Sequence, residues 1–384
     1  MERGVVAEML RRNDPDETSG DAGAGERVRP MTERDGEQVL ELYGRVFPRR
    51  PAGGSESATE YLREILWRNP WRDETLPSLV YEDGRGRIAG CLGVMPRRML
   101  LAGRPIQAAI SHTFMVEPGS RSSLAALALA RAFVSGSQDL SIAEGGSPSR
   151  RILERFGGTT SLVYSLRWTR PLRPTRYLLS CLRRRGLAAA ATRTLAPLCS
   201  AADAIAPVVL GDSARLARPR STGEDLTTDD LLEMLARTAA DRSLRPAYDR
   251  QSLAWLLDLL AKKKGRGLFR RVGLRDGAGD LLGWYLYFLN PGGISEVVQI
   301  GARKMFLDDV LDHLFYHARR GGALAVSGQL DPSAFQSLAA KGSVFHHDGA
   351  SWFLIHSRNP AVLAAIHRTD AFLTRLEGEW CIGP

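Results

Sequence analysis

Residues 79–95 read LVYEDGRGRIAGCLGVM, and residues 272–288 read VGLRDGAGDLLGWYLYF. Each stretch has two apolar runs on either side of an Asp-Gly pair, Asp83-Gly84 in the first and Asp276-Gly277 in the second. Asp-Gly between alternating apolar residues is the strongest short-range signal of a β-hairpin. The sequence therefore predicts the same strand–turn–strand unit twice, 193 residues apart.

A second pair of segments extends this repeat. Residues 140–160 read LSIAEGGSPSRRILERFGGTT, and residues 324–344 read LAVSGQLDPSAFQSLAAKGSV. Both are typical of a strand, a polar loop, a helix that begins near a proline, and a glycine at the helix end. Helical patterns precede each hairpin. We therefore predict an α/β protein of two tandem units, each a mixed, mostly antiparallel sheet flanked by helices.

Composition indicates where the units begin and end. Residues 1–26 mix Gly, Asp, Glu and Arg without an apolar core, which predicts a disordered tail. The two units are expected over residues 27–166 and 226–384. Residues 167–225 are rich in Arg, Pro and Ala, match neither repeat, and are expected to form a basic linker.

Cysteine usage and hydropathy limit the class of protein. The four cysteines show no Cys-x-x-Cys spacing, which argues for a reducing compartment and against a cysteine zinc site. No stretch approaches the roughly 18 apolar residues of a membrane span. We therefore expect a cytoplasmic protein with no metal and no tightly bound cofactor.

One segment carries a family resemblance. Residues 116–127 read VEPGSRSSLAAL and resemble the Val-x-Pro-x-x-Arg-Gly-x-Gly-x-Gly segment of the GNAT acyltransferase superfamily. The unit order resembles tandem members such as mycothiol synthase and the Fem-type transferases. The motif's glycines are replaced by Ser122, Leu124 and Ala126. In the second half, residues 300–304 lead almost directly into a helix, so the first half is expected to bind the acyl donor.

The resemblance implies roles for particular residues. Backbone N–H groups at the helix start would hold the pyrophosphate of coenzyme A. The implied donor contacts are Met115, Val116, Arg121, Ser122, Ser123, Leu124, Ala125, Ser147 and Ser149. The candidate catalytic bases are His112, Glu144 and Glu296. Trp67 and Trp71 are candidate acceptor contacts, and an aromatic cluster that closes the helix end is the alternative interpretation.

The resemblance also implies a reaction. We expect N-acyl transfer from acyl-CoA, as co-substrate, to an amine of a small molecule such as an amino sugar or a natural-product intermediate. Two alternatives remain open. One is a transferase with a macromolecular donor, either aminoacyl-tRNA or an acyl carrier protein. The other is a binding or scaffold protein in which both sites have decayed.

The positive charge is confined to one segment. The chain has 52 Lys+Arg against 43 Asp+Glu, a net charge of +9, and nine arginines without any acid lie between residues 155 and 202. Three interpretations of this segment stay open: a solvated linker, a contact with an anionic membrane surface, and a docking surface for an acidic donor such as an acyl carrier protein. Aromatic residues are not interleaved with the arginines, which argues against nucleic acid as a partner.

Overall fold

The computed structural model describes residues 26–47, 54–119, 122–186, 189–209, 218–219, 221–347 and 349–382. Apart from Glu26, the expected disordered tail lies outside these residues. The strands are β1 (Arg27–Pro30), β2 (Leu79–Glu82), β3 (Ile88–Leu101), β4 (Arg104–Val116), β5 (Leu140–Gly145), β6 (Thr159–Ser161), β7 (Arg167–Pro171), β8 (Thr222–Asp225), β9 (Leu244–Pro246), β10 (Leu268–Arg275), β11 (Leu281–Leu289), β12 (Ile294–Ala302), β13 (Ala325–Gln329), β14 (Val344–His346) and β15 (Trp352–His356). The helices are α1 (Gly36–Val46), α2 (Gly54–Trp67), α3 (Ser122–Val134), α4 (Ser147–Arg155), α5 (Leu162–Ser165), α6 (Pro174–Arg184), α7 (Ala189–Val209), α8 (Thr228–Thr238), α9 (Arg250–Ala261), α10 (Leu307–Arg320), α11 (Phe335–Ala340), α12 (Pro360–His367) and α13 (Glu379–Ile382).

The first sheet is built on the first predicted hairpin. The Asp83 carboxylate accepts hydrogen bonds from the backbone N–H groups of Arg85 and Arg87, both at 3.0 Å, and so fixes the turn between β2 and β3. β3 pairs antiparallel with β4, and β4 pairs in parallel with β5. The strand order is β1-β2-β3-β4-β5-β15-β6, with β9 beside the far end of β3.

The second sheet uses the second hairpin in the same way. The Asp276 carboxylate accepts from the N–H groups of Ala278 and Asp280, both at 2.9 Å, in the turn between β10 and β11. β10, β11 and β12 pair antiparallel, and β12 pairs in parallel with β13. The order is β14-β7-β13-β12-β11-β10-β8, so the succession β2-β3-β4-β5 of the first sheet recurs as β10-β11-β12-β13.

The two halves exchange strands, which corrects the predicted boundaries. β7, expected in the linker, pairs antiparallel with β13 and β14 of the second sheet. β8, also expected in the linker, pairs with β10. β15, expected in the second unit, lies between β5 and β6 of the first sheet. The reason is that β5 and β13 would otherwise present an open edge of unpaired backbone groups, and each is covered by a strand from the other half of the chain.

The halves also share a hydrophobic core. The largest buried cluster contains Leu42 and Ile65 from the helices of the first half, Leu256 and Trp284 from the second half, and Leu376 near the C-terminus. Burial of apolar surface is the main favourable term in folding, so the two sheets are held together by the same force that stabilises each of them. Among the described helices, none combines the length and the apolar character needed to cross a bilayer.

Candidate functional site

The first sheet opens along one edge of β4. The parallel pairing of β4 with β5 covers only residues 108–110 and 140–142, and β4 then continues to Val116 beside β3. A bulge interrupts the β3–β4 register next to His112, and the neighbouring Thr113 has φ +50°. Bulges bend strands and re-aim their side chains. β4 therefore leaves β5, and we call the gap between residues 111–116 and the end of β5 the first opening.

The chain's own C-terminal segment, residues 371–382, enters the first opening. The Thr113 N–H donates to Glu379 Oε1 at 3.2 Å, and the Trp380 N–H donates to Glu144 Oε1 at 3.4 Å. Gly378 lies so close to the Glu144 carboxylate that a Cβ at this position would collide with it. A side chain at residue 378 would force the Glu144 side chain to move, and the segment links Thr113 of β4 to Glu144 of β5.

Glu144 lies where the sequence placed it, at the end of β5. Its side chain is partly buried at the first opening. Burial raises the pKa of this carboxyl above its ordinary value, and the nearby Arg375 guanidinium partly opposes that effect. A carboxyl with a raised pKa is suited to exchange a proton near neutral pH.

A buried network behind the first opening escaped the sequence analysis. Glu377 accepts hydrogen bonds from the Thr374 N–H at 2.7 Å, the Thr374 hydroxyl at 2.6 Å and the Tyr248 hydroxyl at 2.6 Å. The Gln299 side-chain amide donates to both Thr374 and Glu377. Burial raises the pKa of Glu377 and of Tyr248. No local sequence motif identifies these residues, because they come from three distant parts of the chain.

The second sheet has a matching gap, which we call the second opening. β12 and β13 pair in parallel over residues 294–296 and 325–327, and β12 then continues to Ala302. A cleft of about 500 Å³ lies there, lined by residues 297–302 of β12, by Gln329 and by residues 372–374 of the C-terminal segment. The same segment therefore forms a wall of both openings.

Charged residues of both signs line the second opening: Arg237, Asp241, Arg242 and Asp331 besides Arg303 and Lys304. Arg303 and Lys304 line the cleft directly after β12, and both side chains are exposed. The sequence predicts no room for a donor loop here. In the structure, a short 3-10 turn, Lys304–Phe306, leads into α10, and the cleft lies beside it. The sequence signal for an anion site here is the pair Arg303-Lys304, which directly follows a strand and has no acidic residue next to it.

The sequence matches no protein-family model and no curated protein. Solved structures do resemble the chain. A probable N-acyltransferase from Enterococcus faecalis has a TM-score of 0.59 at 11% identity over 90% of this chain and 74% of its own. A GCN5-related N-acetyltransferase from Anabaena variabilis gives 0.57 at 12% over 87% and 73%. A yeast N-myristoyltransferase with bound myristoyl-CoA and inhibitors gives 0.52 at 10% over 89% and 82%. The chain has the GNAT fold.

Within this GNAT fold, the expected donor residues lie in two places. Met115 is buried and Val116 partly buried at the end of β4. Arg121 lies outside the described residues, and α3 begins directly after it, at Ser122 and Ser123. Leu124 is 58% exposed, whereas Ala125 faces the core. The remaining two, Ser147 and Ser149, lie in the first turn of α4, where Ser149 packs against Gly145.

His112 does not have the properties expected of a base. The ring is completely buried and packs against Gly93 of β3, and its Nδ1 lies 3.0 Å from the Thr113 hydroxyl. Burial lowers the pKa of His112 to about 3, so the ring is neutral at working pH. The structure therefore does not favour His112 as a base, because its ring is enclosed in the core beside the bulge.

Glu296 is also unsuited to the role of base. Its carboxylate pairs with Arg167 at 3.4 Å, Arg266 at 3.1 Å and Arg375 at 3.5 Å. These cations lower the pKa of Glu296 and oppose the effect of burial. Arg167 belongs to β7 and Arg375 to the C-terminal segment. Glu296 therefore joins the exchanged strand to the chain end, and its lone pairs are already used.

The two tryptophans have different environments. Trp71 is buried and packs edge-on against Trp255 at 6.0 Å, with the Arg97 guanidinium 4.0 Å above its ring. This is the aromatic cluster of the alternative interpretation. Trp67 is partly buried against Gly36 and lines a smaller cleft of about 190 Å³ between α2 and the start of β2. Neither tryptophan lies at the first opening.

Proposed function

We propose that this protein is an N-acyltransferase that takes its acyl group from acyl-CoA and acts at the first opening. The observation that carries the proposal is that Glu379 and Trp380 bridge the gap left by β4: Glu379 accepts from the Thr113 N–H, and the Trp380 N–H donates to Glu144. Thr113 is β-branched and has a positive φ, a conformation that costs about 1–3 kcal/mol and is concentrated at functional sites. The strain aims an N–H group into the gap.

The donor would lie along the free edge of β4. In this proposal, Met115 and Val116 present backbone groups to the pantetheine amides. Residues 121–125, at the start of α3, would hold the phosphates, since N–H groups at a helix start attract anions. The bound myristoyl-CoA of the yeast N-myristoyltransferase, which shares the fold, supports acyl-CoA as the class of donor.

The acceptor would be a small molecule with an amine. The first opening has carboxylates on both sides, Glu144 at the end of β5 and Glu379 on the C-terminal segment. Carboxylates attract a protonated amine and hold it near the thioester. An amino sugar or a natural-product intermediate has such a group.

The chemistry would use three groups of this chain. Glu144 would first take one proton from the bound ammonium and release it to water, and the neutral amine nitrogen would then attack the thioester carbon while Glu144 takes its second proton. The Thr113 N–H, now bonded to Glu379, would instead donate to the carbonyl oxygen as negative charge develops there. The carbon–sulfur bond then breaks, and the proton passes from Glu144 to the departing thiolate to give free coenzyme A.

One observation favours a second candidate, with the donor in the second opening. This cleft has room for an extended chain, and Arg303 and Lys304 at its rim suit phosphate groups. Here Gln329 and residues 372–374 would contact the donor. A macromolecular donor such as an acyl carrier protein would fit this wider cleft as well.

Calorimetric titration of the full chain with acetyl-, hexanoyl- and myristoyl-CoA tests the proposal. We expect saturable binding of at least one of them, and release of free thiol when an amine is added. Arg121→Ala should weaken binding, since this residue precedes the start of α3. Absence of binding by all three thioesters would contradict acyl-CoA as the donor. Binding that is unchanged by Arg121→Ala but lost in Arg303→Glu would move the donor to the second opening.

A further inference from the structure

The helices α6 and α7 form a hairpin that stands apart from both sheets. The two helices pack chiefly against each other. The Asp203 carboxylate of α7 joins them, because it accepts from the N–H groups of Thr175 at 2.9 Å and Arg176 at 3.2 Å at the start of α6. The hairpin is attached at its base, where the Arg173 N–H donates to the Leu324 carbonyl at 3.0 Å. We call residues 174–186 and 189–209 the basic hairpin.

The basic hairpin has positive charge and no free carboxylate of its own. Its sequence contains five arginines and a single acid, Asp203. The Asp203 side chain is buried and is used by the N–H groups of α6. Arg183, Arg184 and Arg185 are exposed together at the end of α6. Their charge is therefore directed to solvent.

The basic hairpin also exposes leucines. Of the eleven large apolar side chains that are exposed among the described residues, five belong to it: Leu178, Leu182, Leu195, Leu198 and Ile205. Leu178 and Leu182 are four residues apart and share a face of α6. Leu198 is 68% exposed, the largest value of the five. Such a concentration of exposed apolar side chains marks an interaction surface, because their exposure to water is unfavourable and their burial against a partner lowers the free energy.

We propose that the basic hairpin binds an anionic lipid surface. The leucines would enter the boundary between headgroups and acyl chains, while the arginine side chains reach the phosphates. An acidic protein would pair with the arginines but gives no reason for the leucine faces. A second copy of this chain would bring arginine against arginine. The proposal does not depend on acyl transfer, and it fits an enzyme whose donor is itself an amphiphile.

Co-sedimentation of the full chain with lipid vesicles tests this inference. We expect binding to vesicles rich in phosphatidylglycerol, little binding to phosphatidylcholine vesicles, and release as salt is raised. The triple variant Arg183→Gln, Arg184→Gln, Arg185→Gln should bind about a hundredfold more weakly, since each arginine near an anionic surface contributes roughly fivefold. No sedimentation with phosphatidylglycerol vesicles at low salt would overturn the proposal.

The apolar contribution needs its own variants. Leu178→Ser with Leu182→Ser should reduce sedimentation, while the control pair Leu268→Ser with Phe335→Ser, exposed outside the hairpin, should not. An equal loss of sedimentation in both pairs of variants would show nonspecific hydrophobic adsorption and overturn the assignment. Size-exclusion chromatography tests whether a second copy of the chain or an acidic protein binds this surface instead. A dimer that is abolished by Leu178→Ser with Leu182→Ser would overturn the proposal. So would a stable complex with an acyl carrier protein if the chain does not sediment with vesicles.

Discussion

The two openings form in the same way but hold different groups. In each sheet the pairing of two parallel strands ends after three residues. β4 in the first sheet and β12 in the second then continue, each paired only with the strand on its other side. The first opening is lined on one side by the C-terminal segment and presents the carboxylates Glu144 and Glu379. The second is a cleft with Arg303 and Lys304 at its rim. Strand divergence therefore sets where a site lies, and residues at the strand ends and on neighbouring segments set its charge.

The sharpest test of this difference is Glu144→Gln. If the first opening is the reaction centre, loss of the base should lower kcat about 10²–10⁴-fold, and the Kd for acyl-CoA should stay within about twofold. Thiol release under saturating donor measures the first quantity and calorimetry the second. The pH profile should also change. In the wild type, activity rises with pH as the carboxyl, whose pKa is raised, loses its proton, and this rise should disappear in the variant.

A matched control separates chemistry from charge. Glu154→Gln alters an exposed acid on α4 that pairs with Arg150 at 2.8 Å, and it should leave kcat unchanged. If Glu144→Gln retains full activity while Arg303→Glu abolishes it, the roles of the two openings are the reverse of those proposed.

The wall shared by both openings should depend on Glu377. Glu377→Ala would leave the Thr374 N–H, the Thr374 hydroxyl and the Tyr248 hydroxyl without their acceptor in a buried site. Unsatisfied buried donors cost about 1–3 kcal/mol each, so we expect a loss of about 3 kcal/mol in the free energy of unfolding. Urea unfolding followed by circular dichroism measures it.

Glu379→Ala is the comparison for that variant. Glu379 is more exposed than Glu377 and accepts a hydrogen bond from the Thr113 N–H at the first opening, so the cost should be about 1 kcal/mol. Equal costs in the two variants would mean that Glu377 has no special part in holding the segment.

The sequence was sufficient for the local fold but not for the pairing of distant strands. Asp83 and Asp276 mark their hairpins because the turn chemistry lies within five residues. The exchange of β7 and β15 depends on which open edge each strand meets in three dimensions, and alternation of apolar residues is the same for either sheet. The predicted unit boundaries therefore failed at these strands.

The candidate site shows the same limit. Glu144 could be named because it ends a strand beside the expected gap. The burial of His112 could not be read from the sequence, since a bulge changes which face a side chain takes and no residue type marks a bulge. Glu377 and Tyr248 were missed because their partners lie far away along the chain. Sequence spacing identifies the edge of a site, and only the packed chain shows which polar groups are buried there.

Acid titration tests how the bend beside the first opening is held. The pKa of His112 is about 3 in the folded chain and 6.5 in the unfolded chain, so below pH 6.5 the unfolded chain takes up a proton that the folded one does not. Stability should therefore fall as the pH falls from 6.5, by about 2 kcal/mol at pH 4.5. In His112→Gln this part of the loss should be absent, whereas in the exposed control His367→Gln it should persist. Urea midpoints at pH 7 and pH 4.5 provide the measurement.

The smallest expected effect concerns the second opening. We consider Arg303→Glu with Lys304→Glu, which reverses the charge at the rim of the second opening. If the donor binds along β4, this variant should change the Kd for acyl-CoA and kcat by less than about twofold, because exposed charges that do not touch the donor are screened by salt. Calorimetry at low and at moderate salt measures the change. A tenfold loss of affinity that shrinks as salt is raised would show that the phosphates of the donor meet Arg303 and Lys304. In that case the carboxylates of the first opening would serve the acceptor alone, and the C-terminal segment that lines both openings would lie between the two substrates.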